Sequence, residues 1–416
     1  MKIFYSLLFI FFSLTLSAKI PLSWEQAVTM AENSNAELKS AHSNLNASEF
    51  QLGIPRSTFL PQLSFDLSYD RKDQTTNTLN SSYDLFSSSL NLNQNLFAGF
   101  QDIEKIKQAK LNIKISQAQL QSTKAQISFN LKNAFENFTY AKDYLELTEE
   151  IIRRREGNLS LVELSFKSGR ENKGSFFLSQ AYLEQAKYDN LQAKNALRIS
   201  LAKLGQALGI DNSSEYDIQG NIPTQEPDQL PLFTDIAKNT PEYQKSLWQE
   251  EFAKAQITIA RSAFFPSLDL TGSLTRSDQN FYPNQDRYWS MGLNISLPFF
   301  SGGKDYFTTK SAVQNWSASE NQKINLSRQI ISQLEQVYAT YLEAVAKFKV
   351  DSSFKQAATA RAEISRTRYN NGLLTFEDWD VIENDLISRQ KNYLLSKRDR
   401  VITEAGWEQV QGKGVF

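Results

Sequence analysis

The 416-residue sequence contains no cysteine and one histidine, His42. The first absence excludes a disulfide framework, a thiolate metal site and lipid attachment through a cysteine. The second leaves one imidazole, set in a polar helical stretch with no carboxylate cluster at ligand spacing, so His42 reads as a surface residue. No phosphate-cradling loop, nucleophile elbow or zinc signature occurs, and neither an enzyme activity nor a cofactor or metal is expected. An excess of one charge is missing too. With 45 Lys and Arg against 46 Asp and Glu, there is no uncompensated basic surface for a phosphate backbone, and nucleic acid is not an expected partner. The one basic run, Arg153-Arg154-Arg155, is flanked by Glu149, Glu150 and Glu156 and reads as a solvated helix face.

Helix breakers are scarce where it matters. No proline lies between Pro61 and Pro223 or after Pro298, so no pyrrolidine ring interrupts a helix there. Lys304 to Tyr369 contains neither Gly nor Pro, and Gln101 to Phe166 contains only Gly157. A helix of roughly 66 residues is about 100 Å long at 1.5 Å per residue. Ile324, Ile331, Tyr338 and Val345 recur every seven residues, with Leu334, Tyr341 and Phe348 as a second row. This is a coiled-coil-like seam, and Ile330 and Val337 widen it enough to pack on both sides.

The chain is written twice. Arg56-Ser-Thr-Phe-Leu-Pro61-Gln-Leu63 returns as Arg261-Ser-Ala-Phe-Phe-Pro266-Ser-Leu268, Leu96-Phe97-Ala98-Gly99 as Phe299-Phe300-Ser301-Gly302, Phe166-x-x-Gly169 as Tyr369-x-x-Gly372, and Gly209 as Gly412. One offset of about 203 residues holds throughout, the mark of a duplicated unit. Phe166 to Gly169 and Tyr369 to Gly372 read as turns where each long helix reverses, because glycine tolerates the left-handed conformation that ends a helix. The charge, apolar run and small residues from Met1 to Ala18 have the order of a secretory signal with cleavage after Ala18. The expected organisation is a signal peptide at 1–18, a first repeat at 19–210, a linker at 211–241 lying as a collar on the helices, and a second repeat at 242–416. Each repeat holds a helix, a strand pair (about 60–97 and 266–299) and a long helical hairpin.

The strand pairs alternate with period two. Leu63, Phe65, Leu67 and Tyr69 oppose Ser64, Asp66, Ser68 and Asp70, and Phe86, Leu90, Leu92 and Leu96 oppose Ser87, Ser89, Asn91, Asn93 and Asn95. Leu268, Leu270 and Leu274 oppose Asp269, Thr271, Ser273 and Thr275, and Trp289 to Phe299 alternate with Ser290, Gly292, Asn294 and Ser296. Runs of about ten residues suit tilted strands through a bilayer, with aromatics toward their ends. The segments Arg71 to Ser82 and Ser277 to Arg287 read as exposed loops. An open sheet edge is not tolerated in lipid, and four strands cannot close a barrel, so strands that span a membrane must be pooled by several chains. Asp66, Asp70 and Asp269 would then face a mildly acidic lumen. A half-buried sheet on a soluble core is the competing reading.

The duplicated plan, the Arg-Ser-x-Phe-x-Pro-x-Leu entry to each strand pair, the Phe/Tyr-x-x-Gly turns and the start at Leu22-Ser-Trp-Glu-Gln-Ala27 resemble the TolC-type outer-membrane efflux family. The resemblance covers essentially the whole mature chain. It implies an α+β membrane protein: a homotrimer whose twelve pooled strands, four per chain, form one outer-membrane β-barrel continuous with a periplasmic α-helical barrel. It implies an exit duct of a tripartite efflux or type I secretion system, joined through a periplasmic adaptor (membrane fusion protein) to an inner-membrane pump and seated in outer-membrane lipid. By that resemblance Tyr369 matches a gate tyrosine and Asp378 an aspartate that rings the pore. A second aspartate falls on Val381, a basic gate residue on Leu374 and a first-repeat aspartate on Ser175, while Asp380 and Glu383 keep negative charge nearby. Phe166, Gly169, Tyr369 and Gly372 would form adaptor-contact tips, and Gly99, Pro298 and Gly302 the strand-to-helix joints. The alternative is a periplasmic coiled-coil adaptor or structural protein, whose strands would pack as a soluble module.

Overall fold

The computed structural model describes residues 20–76, 79–212, 216–227, 230–281 and 286–416. The signal segment at 1–18 lies outside them. A short strand β1 (Ile20–Leu22) leads into α1 (Trp24–Ser34), α2 (Ala36–Gln51) and α3 (Gly53–Ser57), then β2 (Gln62–Thr76) and β3 (Leu79–Ala98). The first long hairpin is α4 (Gln101–Lys167) and α5 (Lys173–Leu208), and β4 (Tyr216–Ile218) follows it. The second unit repeats the order with α6 (Phe233–Asn239), α7 (Pro241–Arg261), β5 (Ser267–Asp278), β6 (Asp286–Ser296), α8 (Lys304–Asn370) and α9 (Phe376–Val410). Its first helix therefore starts inside the stretch expected to be linker.

The duplication is preserved in the backbone. Helices α4 and α8 are each 67 residues long, about 100 Å at the standard rise. Left-handed glycines recur as pairs: Gly99 and Gly302 (φ 61° and 64°), Gly169 and Gly372 (74° and 70°), Gly209 and Gly412 (74° and 73°). Helix starts are capped by sequence: Ser23 and Gln26 form a capping box on α1, and Thr240 caps α7 with Pro241 in its first turn, where the missing N–H costs nothing.

The four long strands make one antiparallel sheet, β2-β3-β5-β6, in which the second strand of the first repeat pairs with the first strand of the second. Register carries the alternation across all four strands. Phe65 faces Leu90, Leu90 faces Leu274, and Leu274 faces Trp289 on one side, whereas Ser64 pairs with Asn91 and Asn91 with Ser273 on the other. A bulge between Asn95 and Phe97 shifts the register so that Phe97, not Leu96, pairs with Leu268. The residues 71–76 and 79–82, expected as loop, continue β2 and β3 as strand; backbone pairing overrides their polar composition. Along 277–287, β5 ends at Asp278 and β6 begins at Asp286, with 282–285 outside the described residues.

The helices form rows of four. In one half of the bundle the order is α5-α4-α9-α8, and in the other α2-α4-α7-α8. A core at the equator joins α1, α4, α5 and α9 through Trp24, Phe135, Leu204 and Val401, and reaches β4 and the segment after it through Ile218 and Ile222. Strand β1 pairs in parallel with β4, and Tyr341 Oη donates to Gln225 O at 2.7 Å. In the middle of α8 the buried positions include Ile330, Leu334, Tyr338, Tyr341 and Val345, spaced three and four apart as a seam requires. Ile324, counted in the heptad row, is exposed. Among the described residues no helix is long and apolar enough to cross a membrane.

Candidate functional site

Two places were singled out by sequence: the helical tips and the strand sheet with its joints. At the first tip Gly169 N–H donates to Phe166 O (3.0 Å) and Arg170 N–H to Ser165 O (2.8 Å); at the second, Gly372 N–H donates to Tyr369 O (2.9 Å) and Leu373 N–H to Arg368 O (2.8 Å). These are paired Schellman closures. The returning helices are capped at matching positions, by Asn172 on the Ser175 N–H and by Thr375 on the Asp378 N–H. The first tip stacks Phe166 on Phe176 at 5.7 Å. The second stacks Tyr369 on Trp379 at 4.2 Å with the rings 10° apart, and Val162 and Phe376 complete that cluster. Tyr369 is buried, and its hydroxyl donates to Glu171 Oε1 at 3.4 Å. Burial, reinforced by the Glu171 carboxylate, pushes its pKa up to about 12, so the phenol stays a neutral donor.

The other expected aperture residues are dispersed. Ser175 is buried at the start of α5. Asp378 is exposed and accepts from Thr375 Oγ1 at 2.9 Å, making it part of a helix cap. Asp380 points between helices: it accepts from Tyr182 Oη at 3.0 Å and Asn384 Nδ2 at 2.9 Å, and Arg155 lies 3.7 Å away. Burial raises the Asp380 carboxyl pKa against those bonds. One turn on, Glu383 is only 1% exposed and takes a bidentate pair from Arg154, Nε at 2.6 Å and Nη2 at 2.7 Å, plus Asn158 Nδ2 at 3.0 Å. That hydrogen bonding holds the Arg154 guanidinium more firmly protonated than usual. Burial lowers Arg155, which lies over the Tyr182 ring at 4.5 Å.

The basic run is therefore not a solvated face. Arg153 is exposed, Arg154 half-buried and Arg155 buried, because α9 brings Asp380 and Glu383 against α4. Arg154, Asn158, Tyr182, Asn384 and Trp379 were not anticipated. The only local signal was the arginine triplet, and its flanking glutamates hid the partners 229 residues downstream.

In the sheet, Asp66, Asp70 and Asp269 share the polar face. Asp66 Oδ2 accepts from Asn91 Nδ2 at 2.8 Å, Asp269 Oδ1 from Asn95 Nδ2 at 3.0 Å, and Asp70 from Ser68 Oγ at 3.5 Å. The apolar face is open to solvent in the single chain: Phe65 is 65%, Trp289 74% and Ile295 71% exposed. At the joints, a Cβ on Gly99 would lie 2.5 Å from Ser262 O, whereas Gly302 has open space around it. Pro298 follows β6 by two residues, where no ladder donor is needed. After Gly99 comes Phe100, the one non-glycine with positive φ among the described residues (69°), opposite Gly303 (84°) in the second repeat. Its ring, set against Phe97 at 5.1 Å and Phe265 at 6.0 Å, holds it there. His42 is exposed on α2, and no metal-binding cluster occurs among the described residues.

Comparison with known proteins converges on one family. Residues 27–210 and 232–413, one stretch per repeat, match the family described as outer membrane efflux protein. The chain is 25% identical over 413 residues to outer membrane protein TolC of Escherichia coli, covering 89% of this chain and 80% of that one. It is 22% identical over 346 residues to the alkaline protease secretion protein AprF of Pseudomonas aeruginosa, covering 78% and 72%. Among solved structures, the outer membrane protein VceC of Vibrio cholerae superposes with a TM-score of 0.83 at 16% identity, covering 94% of this chain and 96% of that one. The chain belongs to the outer membrane efflux protein family. It has the TolC-type fold and is an outer-membrane channel protein that extends into the periplasm, not an enzyme.

Proposed function

We propose that three copies pool their strands, β6 of one chain pairing with β2 of the next, into a twelve-stranded barrel that conducts cargo passively outward from an inner-membrane pump and its periplasmic adaptor. The observation that carries this is the open sheet: four strands in register, an apolar face of exposed Phe65, Trp289, Leu293 and Ile295, and two unpaired edges. In hydrocarbon an unpaired edge costs several kcal/mol per backbone group, so the edges must meet other edges. The helices support the same closure. The outer helices of the row, α5 and α8, expose apolar stripes at heptad-like spacing, Tyr188 and Leu191 on α5 and Val350 and Ile364 on α8, as a coiled-coil neighbour would cover. A periplasmic adaptor reading leaves the lipid-type face without a partner.

The duct is closed at the tips. Asp378, the exposed one of the four expected aperture residues, marks the aperture, with three Asp378 carboxylates around an axis attracting cations. Tyr369, Ser175 and Asp380 pack inside the tip of each chain, and the turns at Phe166, Gly169, Tyr369 and Gly372 meet the adaptor. With Leu374 and Val381 in place of charged residues, the closing contacts fall to the Arg154–Glu383 and Arg155–Asp380 pairs, which tie α9 to α4 within one chain. Since the chain has no cysteine, closure is tested by paired cysteines on β2 and β6, for example Phe65→Cys with each of Trp289→Cys, Met291→Cys and Leu293→Cys. A covalent trimer in at least one pair supports the barrel; absence of crosslinks in every register sinks it.

A further inference from the structure

We propose that a groove on the lumen side of the bundle equator is a resting site for a planar aromatic anion, a carboxylate or sulfonate, in transit. The lumen assignment rests on the duct reading above. The groove encloses about 640 Å³ along the α4–α5 seam, within the range of small-molecule sites. It lies on one particular face of α4. Phe138 and Lys142 line a separate depression together with residues 218–221 of the inter-repeat segment, whereas Asn133, Asn137, Tyr140 and Tyr144 line the groove. At about 100° per residue the two sets point in roughly opposite directions, so the groove looks away from the inter-repeat segment, which the duct reading places as a collar outside.

Its chemistry selects the ligand. Ala134, Ala141 and Ala196 leave a flat apolar slot between the helices. One wall is a ring stack, Tyr140 on Tyr144 at 5.8 Å and 18°, with the Arg398 guanidinium 4.9 Å from the Tyr140 centroid. Arg398 is oriented by Asp399 at 2.6 Å, and such a wall favours a flat π-system. Asn137 Nδ2 is spent on Asn133 O at 2.8 Å, which leaves Asn133 Nδ2 and Asn137 Oδ1 to address a guest. Arg398 is ion-paired with Asp399, which leaves Lys203 as the cation that faces a guest, with Glu37 the one carboxylate in the lining. Glu37 sits in the first turn of α2, where the helix dipole already favours its charge. Lys203 has no ion-pair partner among the described residues. An anionic head at Lys203 with its ring plane along the tyrosines uses the unpaired cation and the ring wall together.

The test is calorimetric titration of the full chain in nanodiscs with 2-naphthoate, 2-naphthylmethanol and 2-naphthylmethylamine, subtracting empty nanodiscs. The expected order is naphthoate about tenfold tighter than the alcohol, the worth of one charge-assisted hydrogen bond, with the amine weakest. Lys203→Glu should erase the preference, and Ala196→Trp, at an exposed α5 position, should block all three probes. Equal binding of the three, or naphthoate binding indifferent to both variants, overturns the proposal. Conductance recorded from the same preparation separates the two claims: a conducting protein that binds no probe refutes the groove alone, and a non-conducting protein that binds naphthoate through Lys203 refutes the duct alone.

Discussion

Replacing Glu383 should loosen the second hairpin at its tip and nowhere else. The carboxylate is 1% exposed and accepts three hydrogen bonds, two from Arg154 at 2.6 and 2.7 Å and one from Asn158 at 3.0 Å. Glu383→Ala strands a guanidinium and an amide at the α4–α9 contact, and breaking a buried pair in this way costs about 3–5 kcal/mol. The Arg154 side chain keeps 20% exposure and can turn part-way to water, which brings the cost to about 3 kcal/mol, the low end of that range. The loss falls on the local opening of α9 rather than on global unfolding, because the equatorial core around Phe135 and Leu204 is separate from the tip cluster. Amide hydrogen exchange over 376–390 should therefore accelerate roughly a hundredfold, with exchange over 330–345 of α8 unchanged. The double replacement Arg154→Leu with Glu383→Leu should return most of the protection, since apolar pairs of similar volume replace buried ion pairs at little cost. Unchanged exchange in Glu383→Ala, or equal acceleration along α8, would refute the assignment of this pair as the tie between α4 and α9.

The strand-to-helix joints should respond unequally to one substitution. Gly99→Ala places a Cβ 2.5 Å from Ser262 O and should lower trimer yield and heat resistance on gels, whereas Gly302→Ala meets nothing within 4 Å and should cost only the roughly 1 kcal/mol of left-handed strain. Glu136, buried between α4 and α9 and pushed up to about 7 mainly by desolvation, makes stability fall with pH. Its favourable contribution is complete below the ordinary carboxyl value near 4.5 and is lost as pH rises to about 7, a swing of about 3 kcal/mol. Glu136→Gln should accordingly raise the melting temperature at pH 8 and leave it nearly unchanged at pH 4.5; an equal shift at both values contradicts the sign. Tyr341→Phe removes the 2.7 Å bond to Gln225 O and should cost about 1 kcal/mol, read as faster proteolysis of the 219–227 segment, and an unaltered cleavage rate would argue against that bond as its anchor.

Much of this architecture was legible because local rules and global fold agree. Glycines at 99, 169, 209, 302, 372 and 412 occupy left-handed backbone at element ends, where only glycine is at ease, so their recurrence exposed the duplication. Two 67-residue helices followed from the missing prolines, and the apolar face of the sheet from period-two alternation. What stayed hidden depends on partners far away in sequence. Residues 71–76 and 79–82 look like polar loop, yet pairing between β2 and β3 makes them strand. The arginine triplet looks solvated because Glu149, Glu150 and Glu156 adjoin it, while its buried partners are Asp380 and Glu383. Asp378 looked like a pore residue, and the structure adds a capping bond to Thr375 that no spacing rule distinguishes from that role. Phe100 in left-handed backbone was not legible either: its strain is held by Phe97 and Phe265, the second of which comes from the other repeat.

Single-channel recording of the detergent-extracted protein in a planar bilayer tests the central claim most directly. The account predicts small, cation-preferring steps from a trimer in the wild type, enlarged when Glu383→Gln weakens the tie at the tip. A protein that stays in solution without detergent, migrates as a monomer and leaves the bilayer silent in both forms would contradict it.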